Sequence, residues 1–89
     1  MTLVTNMTIL NQRGLHARAA AKFVKVAGAF DANISVEKDG ADVSGESIMG
    51  LMMLAASKGT CIRVTVNGQD ETTAMAAIEE LVNGKFNEC

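Results

Sequence analysis

The chain has 89 residues, the size of one small domain with room for a single core. Hydrophobic residues make up 48% of it and charged residues 20%, a balance typical of a folded domain and not of a disordered segment. The net charge of −2 and the absence of Trp and Tyr argue against a general affinity for nucleic acid and against binding of single strands by base stacking.

Charge is unevenly distributed along the chain. Residues 1–30 contain four basic residues and no acidic one, whereas residues 31–89 contain the other four basic residues and all ten acidic ones. We therefore expect a basic N-terminal third on an acidic body. Cys61 and Cys89 form no metal-ligand pattern and predict reduced thiols in a cytoplasmic protein. No signal peptide is recognisable, and the longest apolar run, near residues 51–56, is too short to span a bilayer.

The first predicted strand covers Thr5 to Leu10, because apolar and polar residues alternate there with Met7 and Ile9 on one face. A turn follows, and the segment from Ala17 to Ala29 has the spacing of an amphipathic helix. This helix has an apolar face and a basic outer face. The apolar face carries Ala20, Phe23, Val24 and Ala27, and the outer face carries Arg18, Lys22 and Lys25.

The middle of the chain predicts two strands joined by a tight turn. Residues 33–38 alternate apolar and polar side chains, and the Asp-Gly pair that follows is a strong signal for a two-residue hairpin. A short third strand is expected at residues 41–44. Residues 47–54 then predict a short helix with Ser47 near its N-cap.

The last third of the chain predicts a fourth strand and a last helix. Residues 61–67 alternate apolar and polar side chains, and Asp70 is placed to cap the helix that follows. An Asn-Gly pair at residues 83–84 is a typical helix stop. The predicted inner face of this helix is Ala74, Ile78, Leu81 and Val82.

The element order is therefore β-α-β-β-α-β-α, within a single domain that covers residues 1–89. Strands with one apolar face imply a sheet that is packed on one side and open on the other. Three helices would cover the apolar side and give a two-layer α/β sandwich.

His16 is the only histidine of the chain, and two positions are open to it. At the spacing 16, 20, 23, 27 it would lie on the apolar face of the first helix as a hydrogen-bonded core residue. Gly14, however, indicates a turn, which would place His16 near the N-cap instead. There the backbone N–H groups of Ala17 and Arg18 have no intrahelical acceptor, and the helix dipole is positive.

A position at the helix start gives His16 a specific chemistry. The converging amides form a phosphate-binding site, and their field favours the neutral, nucleophilic imidazole. Arg18 adds a guanidinium that pairs with phosphoryl oxygens. A metal site is not expected, because no second histidine and no acidic residue lies nearby. The pattern favours His16 as a covalent acceptor of a phosphoryl group.

The motif "GLHAR" followed by "AAAKFV" resembles the phosphohistidine motif of the HPr family, the phosphocarrier proteins of the phosphoenolpyruvate-dependent phosphotransferase system. The segment "SIMGLMML" with the following "KG" resembles the serine-phosphorylation segment of that family, and the resemblance covers essentially the whole chain. It implies an α/β (α+β) fold, the open-faced β-sandwich, with a four-stranded antiparallel sheet covered on one face by three helices.

The resemblance also implies partners and roles. His16 would accept a phosphoryl group on Nδ1 from phosphorylated enzyme I and pass it to an enzyme IIA domain, with Arg18 as the charged helper. The protein would be a monomeric covalent carrier without a cofactor, and not a turnover enzyme. The family usually has Pro after the motif arginine, where this chain has Ala19. Alanine preserves the helix and keeps one further N–H near the phosphate, so the feature that changes is the geometry of the helix start.

Helical phase divides the segment "ESIMGLMML" into two faces. Leu51 and Leu54 share the side that we expect to be buried. Ile48, Met49 and Met52 are expected to be at least partly exposed, and an exposed apolar patch in so small a domain suggests docking. Beside the basic outer face of the first helix, this patch would suit acidic partners with an apolar centre.

Ser47 has two interpretations. A serine at a helix start is most often a simple N-cap. The resemblance adds regulatory phosphorylation by a dedicated serine kinase, an HPr kinase/phosphorylase. Phosphorylation would place about −1.5 to −2 charges inside a surface made for acidic partners. We expect it to weaken docking to enzyme I without unfolding the domain.

Two other functions are open on the sequence. One is a regulatory binding protein of the same fold, of nitrogen or catabolite-control type, which is switched by phosphorylation. The other is a small module that binds RNA or metal. The lack of aromatic residues on the strands and of clustered ligands counts against the second.

Overall fold

The computed structural model describes residues 2–87. Within these residues the elements are β1 (Thr2–Thr8), α1 (Ala17–Ala27), β2 (Asn33–Lys38), β3 (Ala41–Ser44), α2 (Ile48–Met53), β4 (Cys61–Asn67) and α3 (Glu71–Asn83). A 3₁₀ turn at Lys85–Asn87 follows α3. The predicted element order is confirmed, and β2, β3 and β4 have the predicted bounds.

The four strands form one antiparallel sheet in the spatial order β1-β4-β2-β3. The register sets Met7 of β1 opposite Ile62 of β4, and Val64 of β4 opposite Val36 of β2. Directly opposed residues point to the same face of a sheet, so the apolar residues of neighbouring strands form one continuous surface. All four of these side chains are buried, whereas Arg63, which alternates with them on β4, is exposed.

The core lies between the apolar face of the sheet and the helices. Phe23 of α1, Leu51 of α2 and Ile78 of α3 are all fully buried in it, and so is Phe86 of the 3₁₀ turn. Burying one such side chain stabilises the fold by about 1.5–3 kcal/mol. No helix among residues 2–87 combines the length and the apolar character that a membrane span requires.

The first strand differs from the prediction at both ends. β1 spans Thr2–Thr8, whereas the alternation predicted residues 5–10. Ile9 is buried as expected, but it lies beyond the strand. Its N–H donates to the carbonyl of Thr60 at 2.9 Å, and its carbonyl accepts from the N–H of Gly59 at 2.7 Å. These bonds join the end of β1 to the loop that precedes β4.

The start of α3 has no side-chain cap, contrary to the prediction. Asp70 occupies the N-cap position, but its carboxylate accepts a hydrogen bond from the backbone N–H of Asp31 at 2.8 Å and does not cap the helix. The carboxylate of Glu71 instead accepts from the N–H of Gly68 at 3.2 Å. The predicted side-chain cap at Asp70 is therefore wrong, because a nearby backbone donor engages that carboxylate.

The helix ends are close to the predicted ones. α1 ends at Ala27, two residues before the predicted end, and α3 ends at Asn83 as the Asn-Gly pair indicated. Leu81 is only half-buried and packs against the edge of the core, so its predicted place on the inner face of α3 is confirmed only in part. The buried residues of α3 are Ala74, Met75, Ile78 and Val82.

Candidate functional site

His16 occupies the N-cap of α1, at the position that Gly14 indicated. Its backbone is extended (φ −80°, ψ −178°), and its carbonyl accepts the first helical hydrogen bond from the N–H of Ala20 at 2.8 Å. The imidazole is half-buried and does not cap the helix. The alternative placement of His16 on the apolar face inside the helix is therefore wrong.

A tight turn before the helix fixes the backbone that leads to His16. The side-chain Nδ2 of the fully buried Asn11 donates to the carbonyl of Gly14 at 2.7 Å, and the N–H of Gly14 donates to the carbonyl of Asn11 at 3.1 Å. Gly14 has a φ of +68°, and a Cβ on it would lie 2.5 Å from the carbonyl oxygen of Ala56. Glycine is required here both for the left-handed backbone and for the close approach of a second loop.

That second loop, which follows α2, forms the other side of the site. The N–H of Leu15 donates to the carbonyl of Ala56 at 2.8 Å and joins the two loops next to His16. Ala55 adopts a φ of +53°, a left-handed conformation that residues with a Cβ rarely take. The surrounding contacts must therefore hold this loop in place.

Lys38 of β2 supplies one of those contacts. Its ammonium donates to the carbonyl of Leu54 at 3.0 Å and to the carbonyl of Ala55 at 3.4 Å. A cation is favourable at a helix C-terminus, where carbonyl groups lack partners. Lys38 therefore stabilises the end of α2 in the conformation that borders the site, a role that no sequence pattern indicated.

The two loops border a shallow, open pocket of about 220 Å³ beside His16. Sequence reasoning identified only His16 among its lining residues. The remainder come from the turn before α1 and from the loop after α2, some 40 residues away along the chain. The lining residues are Arg13, Leu15, His16, Ala55, Ala56 and Ser57.

The start of α1 is rich in backbone donors and carries no compensating acid. Because the first helical bond is donated by Ala20, the N–H groups of Ala17, Arg18 and Ala19 have no intrahelical acceptor. The first turn contains no acidic residue, although acidic residues are usually enriched there. The positive end of the helix dipole is thus left for an external anion, and a phosphoryl group fits this requirement. Within residues 2–87, no three His, Cys, Asp or Glu side chains are grouped as metal ligands.

Four apolar side chains are exposed on α2 and form an apolar patch. The predicted exposure of Ile48, Met49 and Met52 is confirmed, and Met53 is exposed as well, which was not predicted. The predicted burial of Leu51 and Leu54 is also confirmed. α2 packs against α1, whose Arg18 and Lys25 are exposed. The patch consists of Ile48 (40% exposed), Met49 (70%), Met52 (40%) and Met53 (79%).

Ser47 caps α2 as predicted. Its Oγ accepts a hydrogen bond from the N–H of Gly50 at 3.0 Å, and its backbone is extended. The side chain is half-buried and directly precedes the exposed Ile48 and Met49. Ser47 therefore lies at the border of the apolar patch.

Lys22 does not lie free on the outer face of α1. It is half-buried, and its ammonium donates to the carbonyl of Phe86 at 2.6 Å. The residues of this 3₁₀ turn, Lys85–Asn87, all have positive φ values between +54° and +61°. Lys22 thus holds an unusual backbone turn against α1, in addition to the docking role predicted from its place on the helix.

Replacing Lys22 by Met is expected to lower the free energy of unfolding by about 1–2 kcal/mol, because the carbonyl of the buried Phe86 loses a charged donor. Lys25→Met, at an exposed position of the same helix, is the matched control and should change it by less than about 0.5 kcal/mol. Urea unfolding followed by circular dichroism measures both. Equal effects of the two substitutions would contradict the structural role of Lys22.

Comparisons with known proteins identify the family of this chain. A family model described as "PTS HPr component phosphorylation site" matches residues 4–84. The phosphocarrier protein HPr of Xylella fastidiosa (strain Temecula1) is 50% identical over 82 residues, which cover 92% of each chain. The crystal structure of HPr-C-His from Thermoanaerobacter tengcongensis superposes with a TM-score of 0.93 at 41% identity and 98% coverage of both chains. A crystal structure of an HPr dimer from the same organism gives a TM-score of 0.78 at 44% identity, covering 92% of this chain and 94% of that one.

Agreement over almost the whole length, in sequence and in fold, shows that this chain belongs to the HPr family, the phosphocarrier proteins of the phosphotransferase system.

Proposed function

We propose that this chain accepts a phosphoryl group on Nδ1 of His16 from phosphorylated enzyme I and passes it to an enzyme IIA domain. The observation that carries the proposal is the position of the only histidine at the N-cap of α1, next to backbone amides without intrahelical acceptors. Family membership supports the reaction, and the geometry supports this residue as the acceptor. The choice of Nδ1 follows from the resemblance to the family.

Transfer to His16 is a nucleophilic displacement at phosphorus. The lone pair of the imidazole nitrogen forms the new N–P bond while the bond from phosphorus to enzyme I breaks, and that electron pair returns to enzyme I. Negative charge on the phosphoryl oxygens is stabilised by the N–H groups of Ala17 and Arg18 and by the helix dipole. The same groups serve the second transfer, in which the nucleophile belongs to the IIA domain and His16 is the leaving group.

Two further features of the first turn support this chemistry. Arg18 is exposed, so its guanidinium is available to pair with two phosphoryl oxygens. Ala19 stands where the family usually has proline and retains its N–H, a third donor at the same end of the helix. Because the carrier releases no product without its partners, we regard it as a substrate of enzyme I and not as a turnover enzyme.

We further propose that partners bind the surface formed by the apolar patch of α2 and the basic residues Arg18 and Lys25 of α1. An apolar centre beside positive charge suits acidic partners with an apolar contact region. Lys22 contributes positive charge to this side of the domain while its ammonium remains bound to Phe86. The carrier must present His16 to successive partners, and a monomer leaves the site accessible to each of them. We place this exchange in the cytoplasm.

Labelling with phosphoenolpyruvate tests the proposed function. The wild-type protein, incubated with enzyme I, Mg²⁺ and ³²P-phosphoenolpyruvate, should acquire label that is lost in acid and retained in alkali, the behaviour of phosphohistidine. Omission of enzyme I is the control and should leave the protein unlabelled. Absence of label in the complete mixture, or label that survives acid, would contradict the proposal.

Ser47→Asp is expected to slow phosphorylation by enzyme I at least about tenfold, because it adds a negative charge at the edge of a surface that binds acidic partners. Aspartate is as good an N-cap as serine, so the fold should be retained. Initial labelling rates measure the effect. Ser47→Ala is the matched control, expected to keep the rate while losing about 1 kcal/mol of stability. A rate for Ser47→Asp equal to that of the wild type would count against this surface.

A regulatory protein of the same fold is the second candidate function. The position of Ser47 at the border of the exposed apolar patch favours it, because a phosphate there would change docking. A serine kinase with ATP should give acid-stable label that is absent from Ser47→Ala. Kinase-dependent label on Ser47 without any label from enzyme I would favour this candidate over the carrier.

A further inference from the structure

The pocket beside His16 is lined by a cationic residue that the proposed function does not use. Arg13 lines this pocket together with His16 and Ser57, and the lining includes no carboxylate. Among residues 2–87, no carboxylate forms an ion pair with the guanidinium of Arg13. A cationic residue therefore belongs to the wall of the pocket beside His16.

The turn before α1 determines where Arg13 lies. Arg13 is exposed, but it stands inside the turn that Asn11 and Gly14 close through two hydrogen bonds. Both of those residues are buried, so the turn that carries Arg13 is anchored in the domain while Arg13 itself is exposed. Arg13 therefore lies on the turn side of the pocket beside His16, whereas Arg18 belongs to the first turn of α1.

Lys58, a neighbouring cation, does not line the pocket beside His16, whereas Arg13 does. Lys58 belongs to the loop that forms the other side of the site, but its ammonium lies 3.3 Å from the side-chain oxygen of Gln12 and does not line the pocket. Two exposed cations thus lie on the same side of the domain, and only one of them borders the reacting histidine. Lys58 is the matched control for the charge of Arg13.

We propose that Arg13 is a second phosphate-binding residue, whose guanidinium binds the phosphoryl oxygens of phosphorylated His16 from the side of the turn. A guanidinium binds phosphate through two parallel hydrogen bonds, and it carries its charge at every physiological pH. This contact exists only when His16 is phosphorylated. It therefore stabilises the phosphorylated carrier relative to the free carrier, and it lowers the tendency of the phosphoryl group to take up a proton. The inference rests on the proposed function of His16.

The test compares Arg13→Gln with Lys58→Gln in the full chain. At equilibrium with phosphorylated enzyme I, Arg13→Gln should lower the ratio of phosphorylated to free carrier about 3- to 10-fold, the effect of one lost charge-assisted contact. Titration by ³¹P NMR should show the pKa of the phosphoryl group rising by about 0.5 to 1, in line with the loss of that contact. Lys58→Gln should leave the ratio within about twofold and the titration unchanged. Arg13→Lys should restore part of both effects, because it restores the charge without the planar fork.

Several outcomes would overturn the inference. If Arg13→Gln raised the KM for enzyme I but left the equilibrium ratio and the ³¹P titration unchanged, Arg13 would serve docking alone. Equal effects of Arg13→Gln and Lys58→Gln would show that any positive charge on this side of the domain acts alike, and that Arg13 makes no specific contact with the phosphoryl group. Circular dichroism of the variants separates either result from a loss of fold. Failure of the proposed function is distinguishable, because the wild-type protein would then acquire no label from enzyme I.

Discussion

Replacing His16 by Gln is expected to reduce phosphoryl uptake from enzyme I by at least about 10³-fold, to the limit of detection. Glutamine is similar in size and polar, but its amide nitrogen has no lone pair available to attack phosphorus. His16 is half-buried and does not cap α1, so the free energy of unfolding should change by less than about 1 kcal/mol. Labelling with ³²P-phosphoenolpyruvate and urea unfolding measure the two quantities on the same preparation.

The control for this loss is a substitution on the far side of the domain. Arg63→Gln lies on the polar face of the sheet, away from α1, and should retain the wild-type labelling rate. Acid-labile label that persisted in His16→Gln would show that another residue accepts the phosphoryl group. Loss of label together with loss of the circular dichroism of the folded state would assign His16 a structural role instead.

Gly14→Ala is expected to lower the free energy of unfolding by about 2–4 kcal/mol and to slow phosphoryl transfer. Two costs add at this position. Alanine at a φ of +68° costs about 1 kcal/mol or more. Its Cβ would also lie 2.5 Å from the carbonyl oxygen of Ala56 and 2.8 Å from the Cα of Ser57, and relieving such contacts costs about 1–3 kcal/mol. Separating the loops would displace the pocket beside His16.

Gly40→Ala separates these two costs. Gly40 also has a positive φ, of +86°, but a Cβ there would meet no atom within 4 Å. This substitution should therefore lower the free energy of unfolding by only about 1 kcal/mol and leave phosphoryl transfer unchanged. If both glycine substitutions destabilised the protein equally, the close approach of the two loops would contribute nothing to stability.

Sequence patterns predicted the local elements of this fold well. Alternation located β2 and β4 with their observed bounds, because buried and exposed residues alternate along both strands. β3 was placed by the Asp-Gly turn that precedes it, and none of its residues is buried. The end of β1 was misplaced, since Ile9 continues the alternation but is bonded to the loop at Gly59 and Thr60. The spatial order β1-β4-β2-β3 depends on pairings between distant segments, which no local pattern contains.

The site was predicted only where it is local in sequence. Gly14 indicated a turn, and the turn placed His16 at the helix start, because a left-handed residue at position 14 keeps the helix from beginning before it. The loop at Ala55 and Ser57 lies some 40 residues further along the chain and meets His16 only through the tertiary fold. Helical phase assigned Lys22 to the outer face of α1, whereas its ammonium in fact donates to the backbone carbonyl of the buried Phe86. Long, flexible cations reach backbone carbonyls that periodicity does not locate.

The most direct test of phosphoryl transfer to Nδ1 of His16 is NMR spectroscopy of the phosphorylated protein with ¹⁵N-labelled histidine. The chain contains one histidine, so each ring nitrogen gives a single signal. After phosphorylation by enzyme I and phosphoenolpyruvate, we expect ¹⁵N–³¹P coupling at Nδ1 of His16 and no coupling at Nε2. Coupling at Nε2, or a phosphorylated protein in which neither nitrogen couples to phosphorus, would contradict it.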